Sequence, residues 1–164
     1  MLLQALLLMA FLVSQSVYSQ TFASGYYRMT TEFTGESKSL DVVNDGNNNQ
    51  LQMAKTATVS GQAWKIASLG NGYFRLTTKW LGQQKSLDVV NDGKNDKVQM
   101  ADTADVAGQF WKITATGNGF YRLTTKWLGK GRSLDIVNDA SKSKLQLAKT
   151  EDVTGQSWLI ELIN

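Results

Sequence analysis

Lys85-Ser86-Leu87-Asp88-Val89-Val90-Asn91-Asp92-Gly93, followed downstream by Gln109-Phe110-Trp111, is the stretch that decides the fold. It occurs three times. Leu40-Asp41-Val42 precedes Gln62-Ala63-Trp64, and Leu134-Asp135-Ile136 precedes Gln156-Ser157-Trp158. The copies keep a constant period of 47 residues, with starts at Gly25, Gly72 and Gly119 and no insertion or deletion. A unit repeated at fixed spacing cannot bury its own apolar face and must close on its neighbours. Three units, and no more, predict a closed threefold object.

The second repeat shows what one unit contains. Tyr73 to Trp80 is rich in aromatic and β-branched residues and reads as a strand. Gly82-Gln83-Gln84 turns the chain. Lys85 to Val90 reads as a second strand, with Leu87 and Val89 on one face and Asp88 on the other. The polar cluster Asn91 to Asp96 contains Asp-Gly, a strong turn signal. Lys97 to Ala101 is a third strand, and Phe110 to Thr114 a fourth, in which Trp111 and Ile113 share a face. Four strands per repeat predict about twelve in all, and no segment sustains a helical period. The expectation is an all-β barrel of three units with few open edges.

At this point the residues resemble a family. Three copies of Gln-x-Trp, each in phase with Leu-Asp-Val or Leu-Asp-Ile and a third-strand Gln, are similar to the ricin-type (ricin B-like) β-trefoil lectins. The resemblance covers all three repeats, residues 25–71, 72–118 and 119–164. It implies a β-trefoil in which Trp64, Trp111 and Trp158 pack in the core while Gln62, Gln109 and Gln156 support their repeats. It also implies a non-catalytic carbohydrate-binding function with up to three sites.

Strand parity and the resemblance nominate the same polar residues. Asp41 with Gln52, Asp88 with Gln99, and Asp135 with Gln146 face away from the core on neighbouring strands. A carboxylate accepts two hydroxyl hydrogen bonds, and an amide offers both senses, which suits a sugar edge. In the family these positions line the sugar pocket. An Asp beside a turn also commonly caps backbone amides, so a purely structural use stays open. Asn44, Asn91 and Asn138 offer further ligands from the following loop, or serve the turn itself.

The chain departs from the family in three respects. The aromatic that normally follows the third-strand Gln is Ala54, Ala101 and Ala148. The polar residue before the Gln of Gln-x-Trp is Gly61, Gly108 and Gly155. The family's disulfide positions hold Ser39, Ser86 and Ser133 facing Thr56, Thr103 and Thr150. Loss of such a bridge forfeits about 3 kcal/mol per repeat in the chain-entropy picture. Phe33, Trp80 and Trp127 are the substitute platform. They recur at the end of the first strand, close to the turn before Asp41, Asp88 and Asp135, so the expected groove unites members of one repeat: Trp80 with Asp88, Trp127 with Asp135. The competing use of these rings is to cap the barrel mouth.

Composition narrows the chemistry. The chain lacks Cys, His and Pro, which removes Ser-His-Asp triads, thiol nucleophiles and ordinary zinc sites. No cofactor or metal site is expected; the loops after the second strands lack the ligand alternation of a calcium loop. The net charge is +3, spread without a Lys/Arg cluster, so nucleic acid is not an expected partner. The third repeat is the most basic and the one that departs from the others, with Ala140 and Lys142 where they carry glycine and asparagine.

Residues 1–19 read as a secretory signal peptide: Met1 to Val13 is apolar but too short to span a bilayer, and Ser14 to Ser19 is polar and small. Residues 20–164 then form one secreted domain without a transmembrane segment. About 145 residues suffice to bury a core without covalent help. The expected function is a secreted lectin binding glycans or glycoconjugates, of unspecified sugar and oligomeric state. The alternative is a protein-binding or structural, adhesive trefoil that has lost sugar binding. An enzyme is disfavoured because a glycosidase needs two carboxylates in different environments, whereas these repeat by symmetry.

Overall fold

The computed structural model describes residues 20–163; the signal-peptide reading of residues 1–19 lies outside them. Twelve strands follow one another: β1 (Tyr26–Thr31), β2 (Lys38–Val42), β3 (Leu51–Lys55), β4 (Trp64–Gly70), β5 (Tyr73–Thr78), β6 (Lys85–Val89), β7 (Val98–Asp102), β8 (Trp111–Gly117), β9 (Phe120–Thr125), β10 (Arg132–Ile136), β11 (Leu145–Lys149) and β12 (Trp158–Ile163). The first strand ends at Thr78, two residues earlier than expected, so Trp80 lies in the turn that follows. A single 3-10 turn precedes each Gln-x-Trp tryptophan: Ser60–Gln62, Ala107–Gln109 and Thr154–Gln156.

The first and fourth strands of every repeat close a six-stranded barrel in the order β1-β12-β9-β8-β5-β4. The second and third strands form three separate hairpins, β2-β3, β6-β7 and β10-β11. This is the β-trefoil. The long barrel ladders run between repeats: β4 pairs with β5, β8 with β9 and β12 with β1. Within the first repeat, β1 and β4 share only the Tyr27–Trp64 pairing. One repeat alone therefore leaves its barrel strands unpaired, which is the physical reason for three.

The hairpins are tied around the axis by equivalent backbone bonds. Met53 N donates to the Ser143 carbonyl (2.8 Å), Met100 N to Asn49 (2.8 Å) and Leu147 N to Asp96 (2.7 Å). The core is threefold in its chemistry as well. Trp64, Trp111 and Trp158 are fully buried, and each indole donates to the carbonyl of the leucine in its own Leu-Asp motif, Leu40, Leu87 and Leu134, at 2.8–2.9 Å. Each Gln of the motif is buried and bridges two backbone groups. Gln109 Oε1 accepts from Ala104 N (2.9 Å) while its Nε2 donates to the Asp102 carbonyl (2.8 Å). Phe22, ahead of the first repeat, sits among the equivalent rings of Tyr27, Phe74 and Tyr121.

The positions where the family resemblance implies a disulfide hold hydroxyl pairs. Ser39–Thr56, Ser86–Thr103 and Ser133–Thr150 are hydrogen-bonded at 2.6–2.7 Å. Thr56 and Thr103 donate to the carbonyls of Glu36 and Gln83, so their serines donate to them. Such a bond stabilises by about 1 kcal/mol, a fraction of what a bridge would supply.

Candidate functional site

The candidate aspartates sit where the strand parity puts them. In register, Asp41 faces Gln52, Asp88 faces Gln99 and Asp135 faces Gln146 across the three hairpins. Burial pushes all three carboxyl groups above the ordinary aspartate range. Hydrogen bonds from the neighbouring backbone amides and glutamine side chains offset part of that shift. Each carboxyl is thus partly sheltered and already accepts from a backbone amide and two glutamine side chains.

The glycine before each Gln-x-Trp glutamine explains where the carboxylate points. A Cβ placed on Gly61, Gly108 or Gly155 would lie 2.6, 2.6 or 2.5 Å from Oδ1 of Asp41, Asp88 or Asp135. The carboxylate thus occupies the space that a side chain at this position would fill. The absent polar group of the family pattern and the aspartate rotamer are one feature.

The aromatic platform comes from the next repeat, contrary to the grouping expected within one repeat. Ring atom Cε3 of Trp80 lies 3.5 Å from the Cβ position on Gly61, beside Asp41, and that of Trp127 lies 3.4 Å from the one on Gly108, beside Asp88. Phe33, from the first repeat, lines the groove of Asp135 and Gly155 in the third. Three backbone bonds impose this. The amides of Trp80, Trp127 and Phe33 donate to the carbonyls of Ser60 (3.2 Å), Ala107 (3.2 Å) and Thr154 (3.3 Å), all in the preceding repeat's 3-10 turn. Neighbouring bonds from Lys79 to Ala63, Lys126 to Phe110 and Glu32 to Ser157 reinforce the junction. The barrel ladders between repeats place each platform against a neighbour's aspartate.

Platform exposure is graded. Trp127 is exposed (38%), while Trp80 and Phe33 are half-buried. The Asp88–Trp127 groove encloses about 380 Å³ and includes Asn91, Val106 and Gly108. The Asp135–Phe33 groove encloses about 290 Å³ and includes Asn138, Gln146 and Ala148. Asn91 and Asn138 therefore reach their grooves, and Asn44 is exposed on the equivalent loop. The loop aspartates do the turn work: Asp45, Asp92 and Asp139 each accept two backbone amides through Oδ1 at 2.9–3.1 Å. Gln146 donates to Asp135 Oδ2 at 2.9 Å. Gln99 does not line the Asp88 groove; with Gln52 it borders a separate funnel of about 690 Å³ between the hairpins, whose wall includes Leu51, Val98 and Leu145.

A threefold barrel that brings an aspartate, a glycine and an aromatic ring together at each repeat junction is a lectin-type β-trefoil. The sequence profile of the ricin-type beta-trefoil lectin domain-like family matches residues 60–148, more than half of the chain, and the chain belongs to that family. No curated protein sequence matches it significantly. Among solved structures, a designed threefold-symmetric protein, ThreeFoil, is similar at 25% identity and a TM-score of 0.73, covering 85% of this chain and 99% of that one. The Macrolepiota procera ricin B-like lectin, solved with lactose, has a TM-score of 0.71 at 15% identity, covering 88% and 99%. An exo-β-1,3-galactanase from Clostridium thermocellum has a TM-score of 0.71 at 23% identity, but the likeness spans 86% of this chain and only 31% of the enzyme.

The tandem groove was not readable from neighbouring residues. The signal that could have found it is the constant spacing between Gln-x-Trp and the next repeat's first strand, which is what a hairpin linking β4 to β5 requires.

Proposed function

We propose that the chain is a secreted, non-catalytic carbohydrate-binding protein that holds glycans through up to three grooves, one at each repeat junction. The observation that carries this reading is the coincidence, three times over, of a sheltered aspartate, a glycine that leaves it room and an aromatic ring from the adjoining repeat. Sugars need these elements together: acceptors for hydroxyls and a flat face for the ring's C–H patch. A lectin fold, and a structural neighbour solved with lactose, support the carbohydrate class. The reading of residues 1–19 as a signal peptide supports secretion.

Shallow, open grooves bind single sugars weakly. Three on one body gain roughly 10²–10⁴ in avidity on a dense glycan surface without any new contact. The Asp88 groove is lined by one carboxylate; the third is lined by Asp135 and Glu151, of which Glu151 is exposed and ion-paired to Lys149 (3.6 Å). The recurrence of the same single aspartate at all three junctions, with the added Glu151 of the third held by Lys149, supports the non-catalytic reading.

Ala54, Ala101 and Ala148, small residues where the family has an aromatic, favour the second reading, a protein-binding or adhesive trefoil. A broad glycan array separates the two. The lectin reading expects binding to multivalent glycans that falls at least tenfold in the Asp88→Asn and Asp41→Asn double variant. Absence of binding by the unaltered protein would leave the adhesive reading.

A further inference from the structure

The third groove, which closes the ring between the last repeat and the first, is the one whose parts are already engaged by the protein itself. Its platform is Phe33, a half-buried ring packed against the hydrophobic core. The Lys142 ammonium lies over that ring, 4.3 Å from its centroid. A sugar stacks its C–H patch on the same face, so the two exclude each other. Among the described residues no cation lies over the ring of Trp80 or Trp127. Lys142 stands where the other repeats have Asn48 and Asn95, and all three adopt left-handed backbone, with φ of 45°, 54° and 54°. The loop that carries it is fixed on both sides. Asp139 Oδ1 accepts from the amides of Ser141 and Lys142 at 2.9 Å. Lys38, from the first repeat, donates to the carbonyls of Ser141 and Lys142 and to Ser143 Oγ (3.0 Å).

The acceptors of this groove are engaged as well. Asp135 is only 8% exposed, whereas Asp41 and Asp88 are half-buried. Its Oδ2 accepts from Gln146 at 2.9 Å, while the side-chain donor to Asp41 Oδ2 is Gln62, at 3.4 Å. Gln146 is the strongest of the hydrogen-bond donors that hold the Asp135 carboxyl down, whereas the equivalent Gln52 and Gln99 are the weakest at Asp41 and Asp88. Glu151, the other carboxylate of the groove, is paired with Lys149 (3.6 Å). A sugar entering here has to displace a cation from the ring and an amide from the carboxylate. Neither obstacle stands at the Asp88–Trp127 groove, where the platform is exposed.

We infer that Lys142 and Gln146 hold the third groove closed with the protein's own side chains, so that the chain engages glycans through two grooves, Asp41 with Trp80 and Asp88 with Trp127. This rests on the carbohydrate-binding reading and sets its valency at two. Displacing the cation and displacing the amide each weaken binding a few-fold, about tenfold together. Two open grooves on one body still gain avidity on a dense glycan surface.

The test is a site-resolved NMR titration. Its probe is the best-bound member of a broad glycan array, prepared as a soluble monovalent glycan. The indole N–H signals of Trp80 and Trp127 report the first two grooves, and the Asn138 side-chain amide, which lines the third, reports that one. In the unaltered protein the indole signals should reach half-saturation at about tenfold or more lower glycan concentration than the Asn138 signal. Lys142→Asn restores the residue that the other two loops use on the same left-handed backbone. It should lower the Asn138 midpoint about two- to fivefold and leave the indole midpoints where they are. Lys142→Arg, which keeps a cation for the ring, should behave as the unaltered protein does. Equal midpoints for all three reporters in the unaltered protein, or an Asn138 midpoint that Lys142→Asn does not move, overturns the inference and leaves the lectin reading standing. No binding to any array member overturns both.

Discussion

The barrel and the rim of this molecule obey different rules. In the barrel the three core tryptophans are interchangeable. Trp64, Trp111 and Trp158 are equally buried, each with an indole bond of 2.8–2.9 Å to the equivalent leucine carbonyl. At the rim they diverge: two platforms are tryptophan and one is phenylalanine, and Lys142 replaces an asparagine over the last. A sealed core tolerates little change because any lost volume or orphaned donor costs stability. A groove open to water carries no such penalty, so sequence is free to vary there. Among the candidate groove residues, the aspartates and the glycines beside them are constant, and the variation falls on the platform ring and the adjoining loop.

The largest effect that would sharpen this contrast is in the frame. Trp111→Ala should cost about 3–5 kcal/mol, since it empties a buried ring site and leaves the Leu87 carbonyl without its donor. Denaturant unfolding measures it. Equal stability in this variant would break the distinction at once.

At the rim the sign reverses. Asp88→Asn should abolish binding at its groove while leaving stability unchanged or slightly raised, because burial already holds the carboxyl above the ordinary aspartate range. The same shift fixes the pH behaviour. The folded carboxyl holds its proton more tightly than the unfolded one, so from these groups stability rises as pH falls through the folded-state range. Glycan binding should move the opposite way, falling on acidification as the acceptors protonate. Parallel thermal and binding titrations across the carboxylate range test both signs. Stability and binding falling together through these groups would contradict the account.

Gly108→Ala is a finer probe. Its Cβ would meet the Asp88 carboxylate, the movable end of a short side chain, so the carboxylate should yield. Binding at that groove should drop several-fold with stability falling by less than about 1 kcal/mol. The smallest change is expected for Ser86→Ala. Thr103 keeps its bond to the Gln83 carbonyl, so the loss should stay near the value of one net hydrogen bond, about 1 kcal/mol. A much larger loss would mean that the hydroxyl pairs bear more of the missing bridge's role than one hydrogen bond supplies.

Much of the frame was legible in the residues. Three in-phase Gln-x-Trp and Leu-Asp motifs predict twelve strands, the buried tryptophans and the cross-strand pairing of Asp88 with Gln99, because alternation along a strand and repetition along a chain are local signals. The assignment of Trp80 to Asp88 was not correct, and the cause is topological. Trp80 is close to Asp88 along the chain, yet its amide is bonded to Ser60 in the preceding repeat, so the ring lands beside Asp41. The role of Gly108 was equally hidden, since an absent side chain gives no sign of which neighbour uses its space. Charge at the third rim was visible as Lys142 in the sequence, but its place above Phe33 depends on the closure of the last repeat onto the first.

The central claim is that every groove joins the aspartate of one repeat to the aromatic of the next. A double-mutant cycle on binding of a soluble glycan identified on the array tests it most directly, with Asp88→Asn combined in turn with Trp127→Ala and with Trp80→Ala. Trp127→Ala should add nothing once Asp88 is gone, because both act in one groove, whereas Trp80→Ala should remove a further share of binding. The contrary result, coupling of Asp88 to Trp80 and additivity with Trp127, would contradict it.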